Sequence, residues 1–93
     1  MNLAYFHAPG CGVCHEKSPV AEQIAADAGL PLERWDLDDD AGRAQAESRR
    51  IKTVPTLALI HGERVPFRLA GSMITPENAA QMLARFVPGG ETA

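Results

Sequence analysis

The 93 residues contain only two cysteines, and aromatic side chains make up just 5% of the chain, with one Trp and one Tyr. Two cysteines and three scattered histidines fall short of the four ligands a structural zinc site wants. Basic residues are outnumbered, nine Lys and Arg against twelve Asp and Glu, for a net charge of -3. That balance argues against a nucleic-acid or anionic-membrane surface. No apolar run approaches the ~20 residues of a membrane span. The first residues show no basic start, no long apolar core and no small-residue cleavage site, so a cytoplasmic location without export is expected. There a lone cysteine pair is not expected to be a permanent structural staple. Repeats, linkers and low-complexity segments are absent as well, so residues 1–93 read as one domain.

What the chain does have is Cys11-Gly12-Val13-Cys14. The apolar run Leu3-Ala4-Tyr5-Phe6 precedes it and a helical pattern from His15 to Ala28 follows. This places Cys11 at or near the first turn of a helix, where unpaired N–H groups favour an anion. Only the thiolate attacks sulfur, and Cys-X-X-Cys sites so placed have pKa values lowered to roughly 3.5–7.5. The two-residue spacing lets Cys14, one turn on, reach back and close a disulfide with Cys11. Dithiol–disulfide exchange is the chemistry this pattern suits.

Other uses of the same residues are weaker. Cys11-Gly12-Val13-Cys14-His15 spells the C-x-x-C-H pattern of covalent haem attachment, with Met73 or Met82 as a distal ligand. Haem attachment normally needs export, and a cytochrome has no use for the β-rich second half. A metal or iron–sulfur module built on the two cysteines is a further alternative. Asp38, Asp39 and Asp40 lack calcium-ligand spacing and read as helix capping and solvation.

Along the chain, residues 2–7 form a short buried strand ended by Ala8-Pro9-Gly10, with His7 facing the cysteine loop. The following helix presents Val20, Ala21, Ile24, Ala25 and Ala28 on one face, carries a kinking Pro19 and stops at Gly29. Leu32–Leu37 is a second strand. The three aspartates cap a helix over about Ala41–Ile51, whose narrow apolar stripe is Ala44, Ala46 and Ile51. Thr56–Ile60 and Val65–Ala70 make a hairpin across His61–Arg64, and Pro66 puts the last strand at the sheet edge. Thr75 and Pro76 start a final helix with Ala79, Met82, Leu83 and Phe86 on one face. Pro88-Gly89-Gly90 ends it, and residues 88–93 are expected to fray. The order is α/β, β-α-β-α-β-β-α, giving a four-stranded mixed sheet with helices on both faces.

At these residues the chain resembles the thioredoxin-like superfamily over nearly its whole length. Pro19, five residues after Cys14, matches the kinking helix proline of thioredoxins. Val54-Pro55-Thr56 matches the hydrophobic-Pro-Thr segment whose cis proline packs beside the disulfide, at close to thioredoxin spacing. Gly71 falls on the glycine that begins the loop before the last helix. The chain as given opens on the strand before the motif, the minimal arrangement shared with glutaredoxins. Gly10 replaces the aromatic residue before the first cysteine, and Tyr5 replaces the buried acid implicated in deprotonating the second cysteine. Val13 stands where thioredoxins have proline and glutaredoxins tyrosine, so redox poise does not carry over. Thr53-Val54-Pro55 also resembles the glutathione-facing segment of glutaredoxins, but Gly71-Ser72-Met73-Ile74 departs from their Gly-Gly-x-Asp-Asp loop.

The resemblance implies a thiol–disulfide oxidoreductase of protein disulfides with Cys11 and Cys14 catalytic. Gly10, Gly12, Val13, Val54, Pro55 and Gly71 would meet substrate. Tyr5, His7, His15 and Asp36 are candidates for tuning the thiols, Asp36 as a carboxylate in place of the missing acid. It implies no metal or bound cofactor, with reducing equivalents from a flavin/NADPH thioredoxin reductase or from glutathione. Partners would be disulfide-bearing proteins, with no nucleic acid or membrane, and the chain would be a monomer. The alternative is a glutathione-dependent, glutaredoxin-like reductase.

Overall fold

Leu3, Ala4, Tyr5 and Phe6 are all fully buried, so the strand that holds them has no solvent face and must be covered on both sides. In the computed structural model, which describes residues 1–86, this strand is β1 (Asn2–His7) and lies inside the sheet. It is followed by α1 (Gly12–Ala28), β2 (Leu32–Asp36), α2 (Asp40–Ser48), β3 (Thr56–His61) and β4 (Arg64–Ala70). A single 3-10 turn, Gly71–Met73, leads to α3 (Pro76–Phe86). The sheet order is β2-β1-β3-β4; β2 runs parallel to β1, and β3 runs antiparallel to both β1 and β4.

Alternation along the strands sorts the core into two layers. Leu3, Tyr5, Leu57, Leu59, Phe67 and Leu69 meet Ala21, Ile24 and Ala25 of α1 and Ala79 of α3. Ala4, Phe6, Ala58 and Ile60 meet Ala46 and Ile51, on and just beyond α2. Each large side chain so buried contributes about 1.5–3 kcal/mol, which is what pins the helices to opposite faces.

Local signals explain most boundaries. Gly29 adopts φ +67° and closes α1 with its N–H on Ala26 O at 3.2 Å, while Leu30 N–H reaches Ala25 O at 3.0 Å. Thr75 Oγ1 accepts from Asn78 N–H at 3.1 Å and caps α3. Pro19 lies inside α1, which stays helical past it. Pro66 is on the edge strand β4. Between the pairs Leu59–Phe67 and His61–Arg64, Val65 and Pro66 stand opposite Ile60 alone. This bulge turns Val65 toward the α2 layer while Phe67 faces α1 and α3.

Four expectations are corrected. Helix α1 starts at Gly12, three residues before His15, because Cys11 itself caps it. Helix α2 ends at Ser48, and Ala44 is exposed on it; Ile51 is buried from the segment beyond, after Arg50 turns the chain with φ +58°. Asp39 holds the capping position without a side-chain capping bond, and Asp36 Oδ1 accepts the Asp38 N–H at 2.8 Å in the turn before it. The hairpin turn is Gly62-Glu63 alone, with His61 and Arg64 paired in the ladder. The expected helix end at Pro88-Gly89-Gly90 and the tail 88–93 lie outside the described residues.

Candidate active site

Strand β1 delivers the chain to a tight turn in which Cys11 N–H bonds Ala8 O at 3.2 Å. Cys11 then sits at the amino-terminal cap of α1 with extended backbone, φ -100° and ψ 106°. Its sulfur accepts the Cys14 N–H at 3.0 Å, doing what a Ser or Asp oxygen does at an ordinary helix start. The sulfur therefore faces the positive end of the helix dipole, and the first turn holds no acidic residue to oppose it. Cys11 and Cys14 are joined as a disulfide, with Cα atoms 5.2 Å apart. Cys11 is half-exposed, whereas Cys14 is 2% exposed.

The loop is held from both sides. His15, exposed on α1, places Nε2 2.9 Å from Pro9 O and so donates to it. From below, the Tyr5 hydroxyl donates to Cys14 O at 2.6 Å. The Tyr5 ring stacks on His7 with centroids 5.8 Å apart. Burial raises the Tyr5 phenol above its ordinary pKa, and the nearby Arg34 cation offsets part of that rise. The phenol is thus a neutral donor at pH 7, in the position where the resemblance calls for an acid.

Arg34 is the site neighbour that sequence reasoning missed. It stands opposite Tyr5 in the β1–β2 ladder, with its guanidinium carbon 5.7 Å from the Tyr5 ring centroid. It also bonds Ser18 Oγ at 2.8 Å and pairs with Glu22, tying β2 to α1. Only the strand register reveals this. Asp36, by contrast, spends its carboxylate on the Asp38 N–H within its own turn. Gly42 was also missed: a Cβ there would lie 1.9 Å from Asp36 O, so α2 approaches the end of β2 too closely for any side chain.

The second wall comes from the start of β3. Phe6 pairs with Thr56, so Val54 and Pro55 arrive at the same sheet end as the cysteine turn. The Val54–Pro55 bond is cis, Pro55 is buried and Val54 half-buried. Gly71, at φ +55°, gives its N–H to Pro55 O at 2.9 Å. Thr56 donates to Thr53 O at 2.7 Å and tightens the same segment. Gly10, Gly12 and Val13 are exposed, Val13 at 45%, and Met73 of the 3-10 turn is 55% exposed.

A family model described as Thioredoxin matches residues 1–85. The chain belongs to the thioredoxin family. It is 35% identical over 72 residues to a thioredoxin of Mycolicibacterium smegmatis, covering 75% of this chain and 64% of that protein. The chain thus spans just under two thirds of that relative's length. A thioredoxin-like protein of Synechocystis is 28% identical over 81 residues, covering 87% of this chain and 73% of that one. Thioredoxin 1 of Thermosipho africanus superposes with a TM-score of 0.80 at 21% identity, covering 98% and 99% of the two chains, which shows the shared fold. Among the described residues of this thioredoxin-family chain, no group of three or more His, Cys, Asp or Glu is placed to hold a metal ion. Nor is any described helix long and apolar enough to cross a membrane.

Proposed function

We propose that this chain is a thiol–disulfide oxidoreductase that reduces protein disulfides through Cys11 and Cys14. The observation that carries the reading is the asymmetry of the joined pair: Cys11 half-exposed at the cap of α1, Cys14 buried one turn behind. The reduced pair carries two electrons. Cys11 thiolate attacks one sulfur of the substrate disulfide, forming a mixed disulfide and expelling the other substrate sulfur, which takes up a proton. Cys14 then loses its proton and attacks Cys11 Sγ, releasing the second substrate thiolate and closing the Cys11–Cys14 ring.

Gly10, Gly12 and Val13 on one side and Val54, Pro55 and Gly71 on the other flank the approach to Cys11. An extended substrate segment would lie against the Val54 backbone by strand addition. Tyr5 and His15 act on the loop through Cys14 O and Pro9 O. His7 meets the loop through the Tyr5 ring on which it stacks, and Asp36 holds the turn after β2 rather than the thiols. The chain works in the cytoplasm as a monomer without a bound cofactor, and a flavin/NADPH thioredoxin reductase rather than glutathione restores the dithiol.

The test is turnover of insulin disulfides with each donor in turn. Reduction driven by thioredoxin reductase and NADPH is expected. Turnover with glutathione alone would make the protein glutaredoxin-like, and none with either donor or with dithiothreitol would end the oxidoreductase reading.

A further inference from the structure

The segment leading into Val54–Pro55 is Arg49-Arg50-Ile51-Lys52-Thr53, densely basic in a chain whose net charge is -3. A fourth cation joins it from β4. Arg68 stands opposite Ala58 in the β3–β4 ladder, and its Nη1 donates to Arg50 O at 2.9 Å. Arg50, Lys52 and Arg68 are exposed, and Arg49 is bonded to the neutral Gln45 amide. The ion pairs among the described residues are Arg34–Glu22 and Arg43–Asp40, so none of these four cations meets a carboxylate there.

Complementing the dipole of α2 accounts for Arg49, next to the last turn. It does not account for Lys52, four residues past the end of the helix, or for Arg68 on another element, because the dipole effect dies within the last turn. The opposite end of α2 is built differently. Asp40 there pairs with Arg43, which also donates to Asp38 O at 3.1 Å. The acidic end thus carries an ion-paired cation of its own, whereas at the basic end the one nearby carboxylate in α2, Glu47 of its last turn, pairs with none of the four cations among the described residues.

We infer that Arg50, Lys52 and Arg68 form a cationic rim beside Val54–Pro55 that selects disulfide substrates with acidic residues flanking the cystine. This rests on the exchange reading and names its substrate class. A segment laid along Val54 carries its neighbouring side chains past Lys52 and Arg50. Carboxylates there meet unpaired positive charge, and lysines meet repulsion. Charge complementarity of this kind acts mainly on the encounter rate and is screened by salt.

The experiment measures kcat/KM for three synthetic peptide disulfides that share an apolar core and differ only in Glu, Gln or Lys flanks. The Glu-flanked peptide is expected to exceed the Lys-flanked one by about tenfold at low salt. The gap should shrink as ionic strength rises from about 0.01 M to about 0.15 M, which shortens the screening length from about 30 Å to about 8 Å. The double variant Arg50→Gly/Lys52→Glu, whose glycine suits the positive φ of that position, should abolish or reverse the preference. The control Arg85→Glu, on the last turn of α3, should keep it. Equal turnover of all three peptides, or an undiminished preference in the double variant, overturns the rim. Failure of all three to turn over, with insulin also untouched, overturns the exchange reading and the rim together.

Discussion

The Tyr5 hydroxyl donates to the Cys14 carbonyl oxygen at 2.6 Å, so the central strand is bonded directly to the backbone of the buried cysteine. Tyr5→Phe keeps the ring and its stack on His7 but removes this bond. A loss of about 1–2 kcal/mol of folding stability is expected, the usual cost of deleting a buried hydrogen bond. A urea midpoint identical to that of the parent would show the bond to be energetically idle.

The same residue sets an alkaline limit. Burial raises the folded phenol's pKa above its unfolded value of about 10. Below the unfolded value both states hold the proton and the stability is intact. As pH climbs through the folded value, the unfolded chain has already released a proton that the folded chain still binds, so stability falls. Denaturation curves between about pH 9 and pH 11.5 should show a steeper decline for the parent than for Tyr5→Phe. Parallel declines would refute this.

Half-exposed Cys11 and buried Cys14 are not interchangeable. Cys14→Ser is expected to accumulate a covalent mixed disulfide with insulin chains, visible by mass spectrometry under non-reducing conditions. Cys11→Ser should form none and lose turnover. Normal turnover in Cys11→Ser would show that the nucleophile has been misassigned.

Glycines separate packing from surface. A Cβ on Gly42 would strike Asp36 O at 1.9 Å, whereas one on Gly12 meets nothing within 4 Å. Gly42→Ala should destabilise by about 2–3 kcal/mol, as overpacking against backbone does. Gly12→Ala, in the first turn of α1, should be neutral or stabilising by up to about 1 kcal/mol. Thermal unfolding of the two variants side by side checks both signs, and a Gly42→Ala protein as stable as the parent would mean that α2 can move off β2.

Arg50 adopts φ +58°, which costs a non-glycine residue roughly 1–2 kcal/mol. Glycine pays more entropy on folding, about 0.5–1 kcal/mol. Arg50→Gly should therefore come out neutral to about 1 kcal/mol more stable. A clear drop in melting temperature would mean that the Arg50 side chain makes contacts that outweigh its backbone strain.

The amino-acid sequence alone determined the element order and the position of the cysteine pair. Each rests on a few consecutive residues: the apolar run of β1, Gly29 as a stop, Thr75 and Pro76 as a start, Cys11 and Cys14 one turn apart. Caps, turn residues and hydrophobic period act within about one turn of chain, so they can be read without neighbours. Helix α2 was the least legible element, because its end depends on Arg50 taking a backbone conformation that no local signal in Arg49-Arg50-Ile51 announces.

The tertiary structure decided the contacts between elements that lie far apart along the chain. That Arg34 lies over Tyr5, that Gly42 must be bare against Asp36, and that Arg68 reaches Arg50 all follow from strand register and helix approach. Those are set by burial summed over the whole core. A one-residue slip of β2 would send Arg34 to the opposite face, and nothing within β2 itself forbids that slip. The placing of the pair is therefore local, while the Arg34–Tyr5 stack beneath its loop and the Arg68–Arg50 contact are properties of the assembled sheet.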